Sequence, residues 1–351
     1  MFRLLLSSIV ALSASSALAQ QLSNDPFPTP IETTQDVISA NFVEFAHIPH
    51  DADGFAPRIM HMVTEPGTDR RFASVMTGPI YAMNADGSNV TLYVDINDEQ
   101  WGVQVMSAGN ERGLQSISFH PQFSETGTPG YGKFYTYTDT SNTEPEADFV
   151  SGGERRSHDT LLLEWTANSA SASRYDGSAP KLLFRAAQPF PNHNASQIAF
   201  NPLAMPGDED FGLLYVGLGD GGSGGDPMKV GQDLSNYFGK ILRIDPLGNN
   251  SDNGHYGVPQ NNPFADDNDA DTLGEIYAYG VRNPQRFNWD SKTGGILLAD
   301  IGQNVVEEIS PVTAGANLGW SDWEGSYQFI EWQVNLENPR SDAALTWPVA
   351  E

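Results

Sequence analysis

One unit recurs along this chain: "SISFHPQFSETGTPGYGKFYTYTD" at 116–139, "QIAFNPLAMPGDEDFGLLYVGLGD" at 197–220 and "RFNWDSKTGGILLADIG" at 286–302. Each copy runs an alternating strand into a large aromatic residue and a turn. It then passes a Gly-containing loop and returns on a second strand to a Thr-Asp, Gly-Asp or Asp-Ile-Gly exit. Phe119, Phe200 and Trp289 mark equivalent positions. A two-strand unit cannot bury its own apolar face, so repeats of this kind stack side by side, and long inserted loops between them suggest propeller blades. The stretch 58–95, with "FASVMTGPIYAMNADGS" inside it, is a weaker earlier copy, which makes about four blades. Strand patterns dominate from residue 42 onward, with the clearest runs at 133–138, 160–165, 213–218, 240–244, 275–279 and 295–301, and helical periodicity is nearly absent. The expected fold is all-β.

Residues 1–19 have the pattern of an export signal: Arg3, an apolar stretch from Leu4 to Leu12, then Ala17-Leu18-Ala19 before Gln20. The segment 20–41, rich in Pro, Thr and Asp, is expected to be a loose leader, and 42–351 the propeller domain. No later stretch approaches ~18 consecutive apolar residues, so no membrane span is expected. Zero cysteines in an exported chain leave stability to the core. A periplasmic or secreted location follows. The formal charge of −27, from 45 acidic against 18 basic residues, makes nucleic acid a poor partner.

Loops of a propeller converge at one end of its channel, so strand exits from different repeats can meet there. Four exits carry unusual residues: Glu111-Arg112-Gly113-Leu114, Asn192-His193, Arg282-Asn283-Pro284 and Asp300-Ile301-Gly302-Gln303-Asn304. His193 between two amides suits a general base, or else a channel-lining histidine with structural hydrogen bonds alone. His120 shares a turn and is expected to brace it. "GDGGSGGDP" at 219–227 lacks the Lys-Ser/Thr of a phosphate loop and is expected to be a tight loop, with Asp220 and Asp226 capping turns or binding Ca²⁺. "DDNDAD" at 266–271 is expected to be solvated.

Read together, "ERGLQSISFHPQF", "NHNASQIAFNP", "LYVGLGDGGSGGDP", "QDLSNYFGKILRID", "EIYAYGVRNPQRF", "ADIGQNVVEEI" and "GANLGWSDWEG" resemble the soluble PQQ-dependent aldose sugar dehydrogenases, the glucose/sorbosone dehydrogenase family of six-bladed propellers. The resemblance implies oxidation of an aldose at its anomeric carbon to a lactone, with hydride transfer to PQQ and an unidentified electron acceptor downstream. It implies His193 as general base and Arg282 and Asn283 on the quinone oxygens, with the guanidinium stabilising developing charge. Glu111 and Asn192 would lie beside the cofactor, and the carbonyls of Gly302 and Gln303 would help hold Ca²⁺. Two positions depart from the glucose-oxidising pattern: Glu111 stands where it has Gln, and Asn192 where it has Asp, removing a carboxylate that could orient the base. In the family the pattern continues past "LTWPVAE", so the domain is expected to be incomplete at its C-terminal end, the alternatives being a missing wall supplied by another chain or closure with fewer blades. The alternative is a non-catalytic ligand- or protein-binding propeller of the same superfamily. A Ca²⁺-dependent lactone hydrolase on a propeller is disfavoured by the ordered motifs.

Overall fold

A computed structural model describes residues 42–109, 111–151, 156–330 and 332–339. The expected export signal and leader, 1–41, and the last residues, 340–351, lie outside the described residues. Five antiparallel-based sheets follow one another along the chain. The first holds β1 (Ile59–Thr64), β2 (Arg71–Val75), β3 (Pro79–Met83) and β4 (Thr91–Asp95). The second holds β5 (Leu114–Phe119), β6 (Lys133–Thr140), β7 (Phe149–Val150), β8 (His158–Thr166) and β9 (Lys181–Gln188), with the short β7 parallel to β9 at its edge. The third holds β10 (Ala195–Phe200), β11 (Leu214–Leu218), β12 (Lys240–Ile244) and β13 (Ile276–Tyr279). The fourth holds β14 (Arg286–Trp289), β15 (Ile296–Asp300) and β16 (Glu308–Val312), and the fifth β17 (Trp323–Glu324), β18 (Tyr327–Ile330) and β19 (Gln333–Pro339). One 3-10 turn, Glu99–Trp101, is the helical element among the described residues.

The repeat is real in space. Phe119, Phe200 and Trp289 each end the first strand of their sheet, pair with Phe134, Leu214 and Ile296 on the second strand, and are buried. Apolar side chains from facing sheets form the cores between them. Phe72, Ile80 and Tyr93 meet Ile117, Phe134 and Trp165 between the first and second sheets. Tyr135 and Leu162 meet Ile198 and Val216 between the second and third, and Tyr215 and Ile241 meet Trp289 and Leu298 between the third and fourth. This side-by-side stacking is the propeller expected from the sequence. The sequence suggests about four blades; the fifth sheet is a finding of the structure. Its first two strands are short, and "WE" and "YQFI" carry none of the alternating β-branched pattern that marks the others.

The first strands line a channel and are tied by polar contacts. His61 Nδ1 lies 3.0 Å from Ser116 Oγ, Ile198 N–H donates to Ser116 Oγ at 3.1 Å, Phe287 N–H donates to Gln197 Oε1 at 3.1 Å, and Arg286 Nη2 donates to the Met60 carbonyl at 2.7 Å. The residues just before β5, β10 and β14 therefore surround one end of the channel.

His120 braces its turn as expected: Nδ1 accepts the Gln122 N–H at 3.1 Å, and the ring packs edge-on against Phe200. The run 266–271 forms exposed turns.

Candidate active site

The four unusual exits meet. Glu111, Asn192, His193, Arg282, Asn283 and Gly302 share the wall of one cavity of about 440 Å³ at the N-terminal ends of the first strands, with Gln115 and Gln285 beside them. A larger hollow of about 770 Å³ lies toward the other ends of those strands, against Phe119, Phe200 and Leu297, and contains none of the expected site residues.

His193 sits in the turn entering β10 with φ of 52°, a left-handed conformation unusual for a residue with a side chain. Its turn is held from two sides. Glu111 Oε2 accepts the His193 N–H at 3.0 Å, and Asn194 Nδ2 donates to the carbonyls of Phe190 and Asn192 at 3.0 Å each. The imidazole is buried, and Nδ1 lies 2.7 Å from Asp220 Oδ1. Because a carboxylate accepts, Nδ1 carries the proton, which leaves the Nε2 lone pair as the basic atom.

Asp220 follows β11 at the Gly-Asp exit of the repeat. Its carboxylate also accepts the Gly222 N–H at 3.0 Å and the Trp320 Nε1–H at 2.9 Å, so it is fixed from three directions. From the sequence, Asp220 is expected to cap a turn or bind Ca²⁺. It does cap the turn, and it also supplies the carboxylate to His193 that the Asn192 replacement seemed to remove. Asn192 itself points elsewhere, with Oδ1 accepting the Ser223 N–H at 3.0 Å. The glycines of this loop are sterically required. A Cβ on Gly219 would lie 2.3 Å from the His193 carbonyl oxygen, and one on Gly222 2.4 Å from that of Asn192. Asp226 serves turn chemistry, accepting the N–H groups of Val230 and Gly231 at 2.9 Å each, and its carboxyl is raised by burial.

Arg282 and Asn283 leave β13 through Gly280 at positive φ. Asp300, at the end of β15, accepts both backbone N–H groups, Arg282 at 2.9 Å and Asn283 at 2.6 Å. Burial pushes the Asp300 carboxyl up to about 7, against those two N–H groups and with nearby Asp220 adding to the rise. The Arg282 guanidinium lies over the Trp320 ring at 5.6 Å, and its Nη1 donates to the carbonyls of Ile301 at 2.8 Å and Gly302 at 3.0 Å. Asn283 Oδ1 accepts from Gln285 at 2.9 Å. Gln303 does not line the cavity; its Oε1 accepts the Gly225 N–H at 2.9 Å and its own N–H donates to Glu324 at 2.6 Å. Asp300 stands at one of the four exits that the sequence singles out but has no role of its own there, and Trp320 went unassigned in the sequence. The recurrence of an acid at the second-strand exit was the available signal.

Comparison with known proteins matches residues 73–349 to the family described as Glucose / Sorbosone dehydrogenase. The HIPL1 protein of Arabidopsis thaliana is 30% identical over 305 residues, 76% of this chain and 41% of that protein. The Hedgehog-interacting protein of Homo sapiens is 28% identical over 224 residues, 63% of this chain and 28% of that protein. This chain thus spans less than half the length of either relative. A solved structure of the PQQ-bound form of aldose sugar dehydrogenase from Streptomyces coelicolor shares the fold, with a TM-score of 0.55 at 23% identity over 80% of this chain and 65% of that one. With the matched stretch running from within β2 through every later strand, the chain belongs to the glucose/sorbosone dehydrogenase family.

Proposed function

We propose that the cavity oxidises an aldose at its anomeric carbon to the lactone, with PQQ as oxidant. The observation that carries this reading is that a carboxylate-held imidazole, His193 on Asp220, shares one cavity wall with the Arg282–Asn283 pair. The cavity volume lies within the range of small-molecule and cofactor sites. Arg282 Nη2 and Asn283 Nδ2 have no hydrogen-bond partner among the described residues, so they suit the oxygens of a planar quinone. When bound, the quinone supplies the acceptor for the two electrons that leave with the anomeric hydrogen as hydride. His193 Nε2 takes the proton of the anomeric hydroxyl, and Asp220 stabilises the imidazolium that results. Arg282 offsets negative charge as it builds on the acceptor side.

Calcium, expected at Gly302 and Gln303, takes six to eight oxygen ligands. The Gly302 carbonyl already accepts from Arg282, with one lone pair to spare, and no cluster of acids or histidines suited to a metal occurs among the described residues. The ion therefore fits this wall only with oxygens contributed by the quinone, and no step above is routed through it. Export by residues 1–19 would place the reaction in the periplasm or beyond. No helix among the described residues is long and apolar enough to cross a membrane.

A second reading, a non-catalytic binding propeller, is favoured by the relative named for its interaction with Hedgehog. A PQQ titration followed by dye-coupled oxidation of several aldoses separates the two. Under the dehydrogenase reading His193→Gln loses about 10²–10⁴-fold in rate with PQQ still bound. Absence of PQQ binding, or an unchanged rate in the variant, would leave the binding reading.

A further inference from the structure

We infer that the cavity is built for an aldose carrying an ammonium group, recognised by Glu111; that the ligand is a sugar rests on the reading above. Glu111 is half-buried on the cavity wall. Its Oε2 accepts the His193 N–H at 3.0 Å, while Oε1 has no partner among the described residues. No Lys or Arg pairs with it among the described residues either. The adjacent Arg112 turns away, its Nε donating to the Ala108 carbonyl at 2.8 Å and its Nη1 to Met106 Sδ at 3.6 Å. Arg282 shares the cavity without forming an ion pair with Glu111; its Nη1 is held by the Ile301 and Gly302 carbonyls, and its Nη2 is the group assigned above to the quinone. The wall therefore presents one carboxylate oxygen with no hydrogen-bond donor and no directly paired cation among the described residues.

A sugar hydroxyl would satisfy the hydrogen bond but not the charge, whereas an ammonium satisfies both, and charge-assisted hydrogen bonds are roughly twice as strong as neutral ones. Position narrows the ligand further. Glu111 is bonded to the backbone of the same residue whose imidazole faces the cavity, so groups on Glu111 and on His193 belong to neighbouring atoms of one small molecule. An ammonium on the carbon beside the anomeric centre, as in a 2-amino-2-deoxyaldose, meets that requirement.

The test is a calorimetric titration of the full chain, without quinone, near pH 6 and about 0.15 M salt, a salt level that screens the long-range field of this acidic chain. Glucosamine, glucose and N-acetylglucosamine are the probes. Glucosamine is expected to bind about tenfold more tightly than glucose, about 1.4 kcal/mol. N-acetylglucosamine, which lacks the charge, should lose that advantage on the unaltered protein. Glu111→Gln should abolish the advantage too, while Glu99→Gln, on an exposed turn, should preserve it. Equal binding of glucosamine and glucose overturns the ammonium assignment alone, as does an advantage that survives Glu111→Gln. Binding of none of the three overturns the sugar reading with it. A preference for glucosamine in a chain that oxidises nothing upholds this inference and sinks the dehydrogenase one.

Discussion

Asp220 and Asp300 occupy the same place in two copies of the repeat, each buried at the exit of its sheet's second strand, yet they act on different things. Asp300 spends both oxygens on backbone, clamping the N–H groups of Arg282 and Asn283. Asp220 spends one on the Trp320 indole and shares the other between a turn N–H and the His193 imidazole. Asp139, the equivalent residue of the second sheet, accepts the Gly113 N–H at 3.2 Å and the Thr160 hydroxyl, beside a buried His158. The repeat thus delivers a desolvated carboxylate to the same end of the channel three times. What the neighbouring loop offers it decides whether it shapes backbone or tunes a titratable side chain.

Substitutions at these positions sharpen that contrast. Asp220→Asn retains the shape but puts an amide where three donors converge, and it no longer fixes the proton on His193 Nδ1. Dye-coupled aldose oxidation should fall about 10³-fold while PQQ affinity is retained. The same change at Asp139 should leave that rate unaltered and lower stability in denaturant by about 1–3 kcal/mol, the cost of mismatching a buried hydrogen-bond group. Asp300→Asn presents an amide donor to one of two backbone donors. It should weaken PQQ binding about tenfold, read by quenching of cofactor absorbance, because the Arg282–Asn283 turn loses its clamp.

A separate effect, on stability alone, concerns a buried imidazole without an acid. Burial, and then nearby Lys133, lower the His120 pKa to about 4. The unfolded chain binds that proton near the ordinary value of about 6.5. Stability from neutral His120 is therefore fully present above about pH 6.5 and lost as pH falls toward 4. His120→Asn preserves an acceptor for the Gln122 N–H and should flatten that part of the stability–pH curve, measured by urea unfolding between those limits. A slope identical to that of the parent protein would assign the acid sensitivity elsewhere, with half-buried His61, also lowered to about 4, next in line.

Much of this arrangement was visible in the sequence. Alternation placed β6, β8, β11, β12, β13 and β15 to within a few residues, and Phe119, Phe200 and Trp289 fell at one structural position, because both signals are local and set by the two-residue period of a strand. The exits carrying Glu111, His193 and Arg282 were legible for the same reason. The partner of an acid was not, since Asp220 meets His193 and Trp320 only through loop folding across 27 and 100 residues of chain. A carboxylate among glycines is therefore read first as a turn former. The fifth sheet escaped because its first two strands are too short to hold a periodic pattern, and its hairpin is placed by packing of Phe329 on Trp320.

On the proposed mechanism Asp220 makes His193 a base facing the cavity. Nitrogen-15 NMR of the His193 ring at neutral pH tests it most directly. The neutral imidazole is expected to carry its proton on Nδ1 with Nε2 bare, and to lose that preference in Asp220→Asn. A ring protonated at Nε2 in the parent protein, or a tautomer indifferent to Asp220, would contradict it.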